Sequence, residues 1–364
     1  MSVRTYIIAE AGVNHNGSLQ MAKQLIDAAL EAGADAVKFQ SFKTENEISR
    51  HAPKAEYQTV STDKEESQFD MVKKLELNQE AHAELIAYCK QEGIEFLSTP
   101  FDHESAAMLT DYFRLKTVKI PSGEVVNAPL LLQIARTGVD IILSTGMCTL
   151  GEVESALAVL AFGYMGQNGL PTTDHFMKAY YSSEGQRLLQ EKVTLLHCTT
   201  EYPTPFDDVN LRVIDTFAQA FGLKTGLSDH TDGIAIPIAA VARGARVIEK
   251  HFTLDRRLPG PDHQASLEPS DLKRMIEGIR QTEAAIGRSV KVPAASEQKN
   301  LGIVRKSLVA SVPIRKGELF SEYNLTAKRP GTGVSPMRYW EYLGISANRD
   351  YEEDEVIDPH ALGT

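Results

Sequence analysis

Two histidines stand at matching places in the chain. His230 closes the run KTGLSDH and His251 closes RVIEKH, with the helix-like stretch IAIPIAAVARGA between them. Two parallel strands joined by a crossover helix present their C-terminal ends on the same edge of a sheet. Both imidazoles therefore face one mouth, each with an acid beside it, Asp229 and Glu249. Imidazole is the commonest nitrogen ligand for a divalent metal. A lone strand histidine reads as a core residue; the pair at matching strand ends predicts a metal site.

Other polar residues fall at the ends of apolar runs. YIIAE (6–10) closes on Glu10, ADAVKFQ (34–40) on Lys38 and Gln40, and IEFLSTPFD (94–102) on Ser98 and Thr99. TVKIPSGE (117–124) carries Lys119, Ser122 and Glu124, and DIILSTGM (140–147) carries Ser144 and Thr145. VTLLHCTTEYPTP (193–205) completes the set. Lys38 and Lys119, flanked by Ser122, Ser144 and Ser228, have the makings of a cradle for a multiply charged anion such as a phosphate: lysine supplies point charge and hydroxyls supply hydrogen bonds. A metal ion beside such a cradle polarises a carbonyl as a Lewis acid.

The elements that must position these residues are eight short apolar runs, each followed by a helical segment. Ser18 caps a helix with Leu25, Ile26 and Ala29 on its apolar face, ended by Gly33. Asn78 starts another, Pro129 sits in the first turn of a third, and Thr149 and Glu152 have capping-box spacing. Ser270 is expected to cap the last. This alternation predicts an α/β fold, a closed (β/α)8 TIM barrel, with the polar strand ends on its catalytic face. A doubly wound open sheet is the alternative, but no GxGxxG follows an early strand. Residues 41–77 read as an excursion over the mouth, because a long aperiodic segment usually serves a function. Residues 163–190 read as a surface insertion with one short helix and no assigned role.

The composition changes near residue 288. The barrel is placed at 1–287 and a polar linker at 288–303. A small β-rich domain is placed at 304–364, from short runs separated by RKGE and PGTG. The 364 residues carry a formal charge of −11, which does not favour a nucleic-acid surface. Three scattered cysteines, with no CxxC pair, fit a reducing cytoplasm. The opening residues lack a signal-peptide pattern, and no apolar run is long enough to span a membrane.

With these stretches assembled, the sequence resembles the sialic acid synthase family. AEAGVNHNGS, AVKFQ, FLSTPFD, KIPSGE, ILSTGM, LHCTTEYPTP, GLSDHT, EKHFTLD, GPDHQAS and KRPGTG carry the resemblance, in order and over almost the whole chain. It implies a barrel fused to an antifreeze-like domain (the SAF domain, a β-clip), and a domain-swapped homodimer in which that domain caps the partner's barrel mouth. His230 and His251 resemble the ligands of manganese or magnesium. Lys38, Lys119, Ser122, Ser144 and Ser228 are similar to the family's phosphoenolpyruvate contacts, with Thr99 beside them. Gln40, Glu124, Tyr202 and Asp262 resemble the set that binds an N-acylated amino sugar. Arg329 is similar to the arginine that reaches the N-acyl group from the partner subunit. Thr200 stands where some relatives carry Asn, which removes an amide from the phosphoenolpyruvate pocket.

The reaction so implied is attack of phosphoenolpyruvate C3 on the aldehyde of an open-chain sugar held by the metal. Water then adds to the oxocarbenium-like C2 and phosphate leaves. Glu10 and Glu124 are the candidates for handling water, and Lys119 is counted with them as catalytic. The first expectation is an N-acetylneuraminate synthase using N-acetylmannosamine, for bacterial surface glycans. Its alternative is a legionaminic acid synthase using 2,4-diacetamido-2,4,6-trideoxymannose, which shares every motif quoted. A synthase acting on a sugar phosphate would need a second basic cradle, and none is evident. A non-catalytic carbohydrate-binding barrel would not need the histidines and both lysines.

Overall fold

The computed structural model describes residues 4–54, 66–166 and 169–359, and divides into two compact units, Met1–Gly287 and Arg288–Thr364. In the first, eight parallel strands run in chain order: β1 Tyr6–Gly12, β2 Ala36–Ser41, β3 Glu95–Pro100, β4 Thr117–Ile120, β5 Asp140–Ser144, β6 Val193–Cys198, β7 Lys224–Asp229 and β8 Val247–His251. The ladder order is β3-β2-β1-β8-β7-β6-β5-β4, and its two end strands lie against each other. This is the closed barrel expected from the alternation of runs and helices.

The two-residue period of the strands sorts their side chains. Ile7, Ala9, Val37 and Phe39 face outward and pack with Leu25, Ile26 and Ala29 of the helix Leu19–Ala32. The residues between them turn inward. Ile8, Ala36, Leu97, Ile142, Leu196 and Val247 form an apolar plug across the barrel. Two residues further along the same strands stand Glu10, Lys38, Thr99, Ser144, Cys198 and Glu249, all buried. The plug excludes water from below. The polar layer above it is therefore approached from the C-terminal face alone, as in barrels generally.

Local signals set most helix starts. Ser18 accepts from Met21 N, Asn78 from Ala81 N, and Thr149 with Glu152 forms the capping box. Ser270 does not cap the last helix. That helix is Pro269–Ile286 with Glu268 at its cap, because Pro269 has a preset φ and no N–H to satisfy. The 163–190 stretch holds two helices, Thr173–Tyr181 and Ser183–Lys192, rather than one. Thr172 and Ser182 cap them, and Ala179 and Leu189 are buried in the core around helix Leu150–Tyr164. The stretch is thus outer-layer structure. Within 41–77 lie the helices Thr44–Glu47 and Gln68–Lys73; residues 55–65 of that excursion are outside the described residues.

In the second unit β9 Ser307–Ala310 pairs antiparallel with β10 Leu325–Lys328, over a core that includes Leu308, Phe320, Tyr342, Tyr351 and Ile357. Residues 288–303, read as linker, carry the 3-10 turn Ala295–Asn300 and the start of the short helix Leu301–Val304. Among the described residues no helix is long and apolar enough to cross a membrane.

Candidate active site

The polar layer surrounds a cavity of about 300 Å³ at the C-terminal face of the barrel. Lys38 Nζ lies 2.7 Å from Glu10 Oε2, 2.9 Å from Thr99 Oγ1 and 3.7 Å from Glu249 Oε2. Lys119 Nζ lies 3.3 Å from Glu249 Oε1, which also accepts from Ser228 Oγ at 2.8 Å. Two ammonium groups and two carboxylates are thus packed where water cannot screen them. Burial opposes the charge on Glu249, but Lys119 and Lys38 outweigh it and hold the carboxyl below its usual range. Burial raises Glu10, and Lys38 only partly offsets it. For Lys38, Glu10 and Glu249 overcome the burial that would lower its affinity for a proton. For Lys119, burial wins, helped by the charge of Lys38.

Hydroxyls line the same side. Ser122 Oγ accepts from Gly146 N at 2.8 Å, and Thr200 Oγ1 packs against Gly146. Ser144 Oγ is buried and has no hydrogen-bond partner among the described residues. A buried hydroxyl without a partner is costly, and a polar ligand in the cavity would satisfy it. Lys38, Lys119, Ser122, Ser144 and Ser228, which the sequence grouped together, all line one cavity.

The histidines line the same cavity. His251 ends β8, and His230 follows the last residue of β7. Their ring centroids are 5.5 Å apart, and the Tyr202 ring lies 4.0 Å from that of His230. His230 Nδ1 donates to the Thr199 carbonyl at 2.7 Å, which leaves Nε2 as the lone-pair nitrogen. His251 Nδ1 is buried without a hydrogen-bond partner among the described residues, 4.0 Å from Asp262 Oδ2. Burial, the largest influence, and the charge of Lys38 hold the proton affinity of His251 well below that of a free imidazole. Burial lifts Asp262 to about 6. Among the described residues no three His, Cys, Asp or Glu side chains close around one point; His230 and His251, with Asp262 nearby, are the side chains that could hold a divalent ion.

Gln40 completes the cavity wall, its Nε2 3.4 Å from Glu10 Oε1. Glu124 does not line the cavity. The strand gives way to the 3-10 turn Ser122–Glu124, and the carboxylate accepts from Asn127 Nδ2 at 2.6 Å instead. Arg329 belongs to the second unit, where it is exposed and its Nε donates to the Val304 carbonyl. Asp229, noted beside His230, points away from the cavity and pairs with Lys250 at 2.5 Å. Glu249 is the functional residue that sequence reasoning undervalued. It lies two residues before His251 and shares its face, whereas Asp229 lies one residue before His230 and does not. That parity was readable. Glu47 and Cys198 also line the cavity without having been singled out.

The fold and site define a (β/α)8 barrel with two buried lysines and paired imidazoles lining one cavity at its C-terminal face. The chain belongs to the NeuB family, whose model matches residues 25–291, and a SAF domain matches residues 305–362. The resemblance to sialic acid synthases is thereby established. The chain is 54% identical over 354 residues to the N,N'-diacetyllegionaminic acid synthase of Campylobacter jejuni, covering 97% of this chain and 99% of that protein. It is 42% identical to the enzyme of the same name from Legionella pneumophila, over 94% of this chain and 90% of that one. Among solved structures it is similar to N-acetylneuraminic acid (sialic acid) synthetase from Leptospira borgpetersenii. The TM-score is 0.65 at 32% identity, covering 82% of this chain and 90% of the other.

Proposed function

We propose that this chain is an N,N'-diacetyllegionaminic acid synthase, condensing phosphoenolpyruvate with 2,4-diacetamido-2,4,6-trideoxymannose and releasing phosphate. The observation that carries the reaction class is the buried pair Lys38 and Lys119, meeting around Glu249 at the floor of one cavity. The similarity to two diacetyllegionaminic acid synthases supports the acceptor. It shifts the preference from N-acetylmannosamine, the first expectation from sequence, to its alternative. The sialic acid synthetase relative keeps N-acetylmannosamine as the second reading. A sugar phosphate is disfavoured, because among the described residues Lys38 and Lys119 are the cations lining the cavity.

In this reading Lys38, Lys119 and the hydroxyls of Ser122, Ser144 and Ser228 hold the phosphate and carboxylate of phosphoenolpyruvate, with Thr99 fixing Lys38 and Thr200 bordering Ser122. Gln40, Tyr202 and Asp262 orient the sugar. C3 of phosphoenolpyruvate forms the new bond to the aldehyde carbon, the aldehyde oxygen takes a proton, water adds at C2, and the C2–O bond to phosphate breaks. Glu10 is buried, raised in its proton affinity and 2.7 Å from Lys38, so it is placed to hold a proton beside that centre. Manganese or magnesium held by His230 and His251 would polarise the aldehyde. A homodimer in which Arg329 serves the partner's site, and a cytoplasmic place of action, belong to the same proposal.

Phosphate release from phosphoenolpyruvate with manganese tests it, comparing the diacetamido trideoxy sugar, N-acetylmannosamine and arabinose 5-phosphate. Preference for the first is expected. Preference for N-acetylmannosamine would make the enzyme a sialic acid synthase, and release with none of them would refute the reaction.

A further inference from the structure

The cavity continues beyond the polar layer into a lobe of different character. Phe42 follows β2, Ile48 follows the short helix Thr44–Glu47, and Met71 and Val72 come from helix Gln68–Lys73. Leu75 and Phe101 complete the wall. Val13, Phe42 and Leu75 are buried against one another, with Val72 and Phe101 packed on them, so the wall is a built apolar surface. Glu47 also lines the cavity, with Oε2 buried and without a hydrogen-bond partner among the described residues. Burial, then the negative charges of Glu124, Asp102 and Glu76, push its carboxyl up to about 7.

A carboxyl oxygen without a partner, set beside apolar walls, calls for a ligand that brings a donor and hydrocarbon together. An acylamino group does so: its N–H meets an oxygen while its methyl stays among side chains. A hydroxymethyl group would place a second hydroxyl against Phe42 and Met71, where Gln68 is the one polar side chain besides Glu47 that these segments present among the described lining residues. A phosphate would meet Glu47 with no added cation among the described lining residues. Burying a polar group unpaired is the cost that rejects the wrong ligand in such sites.

We propose that Glu47 is a specificity-determining residue for the acceptor sugar. Its carboxyl accepts the N–H of the acylamino group distal to the aldehyde, while Phe42, Met71, Val72 and Leu75 hold that group's methyl and the deoxy terminus. The assignment rests on the synthase reading above and adds to it the residues that choose the acceptor. It places the selecting contact on the excursion after β2 and not on the barrel strands.

Steady-state phosphate release by wild type, Glu47→Ala and Glu47→Gln tests it, with the diacetamido trideoxy sugar and N-acetylmannosamine as acceptors. Thermal unfolding confirms that each variant is folded. Glu47→Ala is expected to raise KM for the diacetamido sugar about tenfold while KM for phosphoenolpyruvate stays within about twofold. Its preference over N-acetylmannosamine should fall by the same factor, and Glu47→Gln, which keeps an acceptor oxygen, should recover most of it. An unchanged acceptor KM in Glu47→Ala, or equal losses for both acceptors, overturns the assignment. A wild type that prefers N-acetylmannosamine overturns it and leaves the family reaction standing. No release with either acceptor overturns both.

Discussion

Lys38 and Glu10 meet at the floor of the cavity, with Nζ 2.7 Å from Oε2 and side-chain exposures of 3% and 1%. The pair sits directly above the apolar plug, and Glu249 is its next neighbour at 3.7 Å. Lys38→Met removes the cation and leaves two carboxyls facing each other. Breaking a buried pair from one side costs about 3–5 kcal/mol, though protonation of Glu10 will relieve part of it. The expected outcome is a lower denaturation midpoint together with loss of phosphate release. An active enzyme with an unchanged midpoint would remove Lys38 from the anion site.

Gly146 is held between hydroxyls. A Cβ there would stand 2.9 Å from Ser122 Oγ and would collide with Thr200 Oγ1. Gly146→Ala should turn both hydroxyls away from the cradle, raising KM for phosphoenolpyruvate about tenfold, with a smaller effect on the acceptor. The two KM values, measured separately, check this.

These two positions show what the sequence discloses. Once β1 and β2 are recognised, Glu10 and Lys38 each follow an inward apolar residue by two, so the floor of the site can be read by parity alone. The same count separates Glu249 from Asp229, although proximity to a histidine made them look alike. Parity fails where the strand stops. Glu124 looked like a strand end, but the chain had already turned into a 3-10 segment and given its carboxylate to Asn127. It fails entirely for Glu47 and the apolar lobe, which come from an excursion with no period to read. Ser270 shows the same limit at a helix start, where Pro269 preempts a residue that would otherwise be a good cap.

His15 gives the barrel an acid-side limit. It is fully buried, and burial, followed by the charges of His82 and His263, lowers its pKa from 6.5 to about 4. His82, also buried, shifts in the same direction. The folded state therefore binds fewer protons than the unfolded chain between these values. The stability held above pH 6.5 is lost as the pH falls towards 4, on the order of 3 kcal/mol for a shift of this size. Urea midpoints measured across that window should fall steeply for wild type and less steeply for His15→Gln.

A divalent ion held by His230 and His251, as proposed, predicts a stability effect separable from turnover. A ligand that binds only the folded state raises Tm with concentration. Manganese added to chelator-treated wild type should raise Tm and restore phosphate release. It should do neither in the double variant His230→Ala, His251→Ala. A chelator-treated wild type that keeps full activity would exclude these imidazoles as ligands of a required metal.

Arg329 provides the test of assembly. The proposal gives the partner's Arg329 a role at the sugar, so each active site draws on two chains. Arg329→Ala should then be defective through its effect on the neighbouring barrel, and Lys119→Met through its own. Mixed after subunit exchange, the two defective proteins form hybrid dimers in which one site carries both changes and the other carries neither. Random pairing makes half the dimers hybrid, so about a quarter of wild-type phosphate release should return. If Arg329 serves the barrel of its own chain, every site in the hybrid keeps one lesion and no activity returns. Native mass spectrometry of the mixture establishes that exchange has occurred, so a null result with hybrids present rules out the partner-served site.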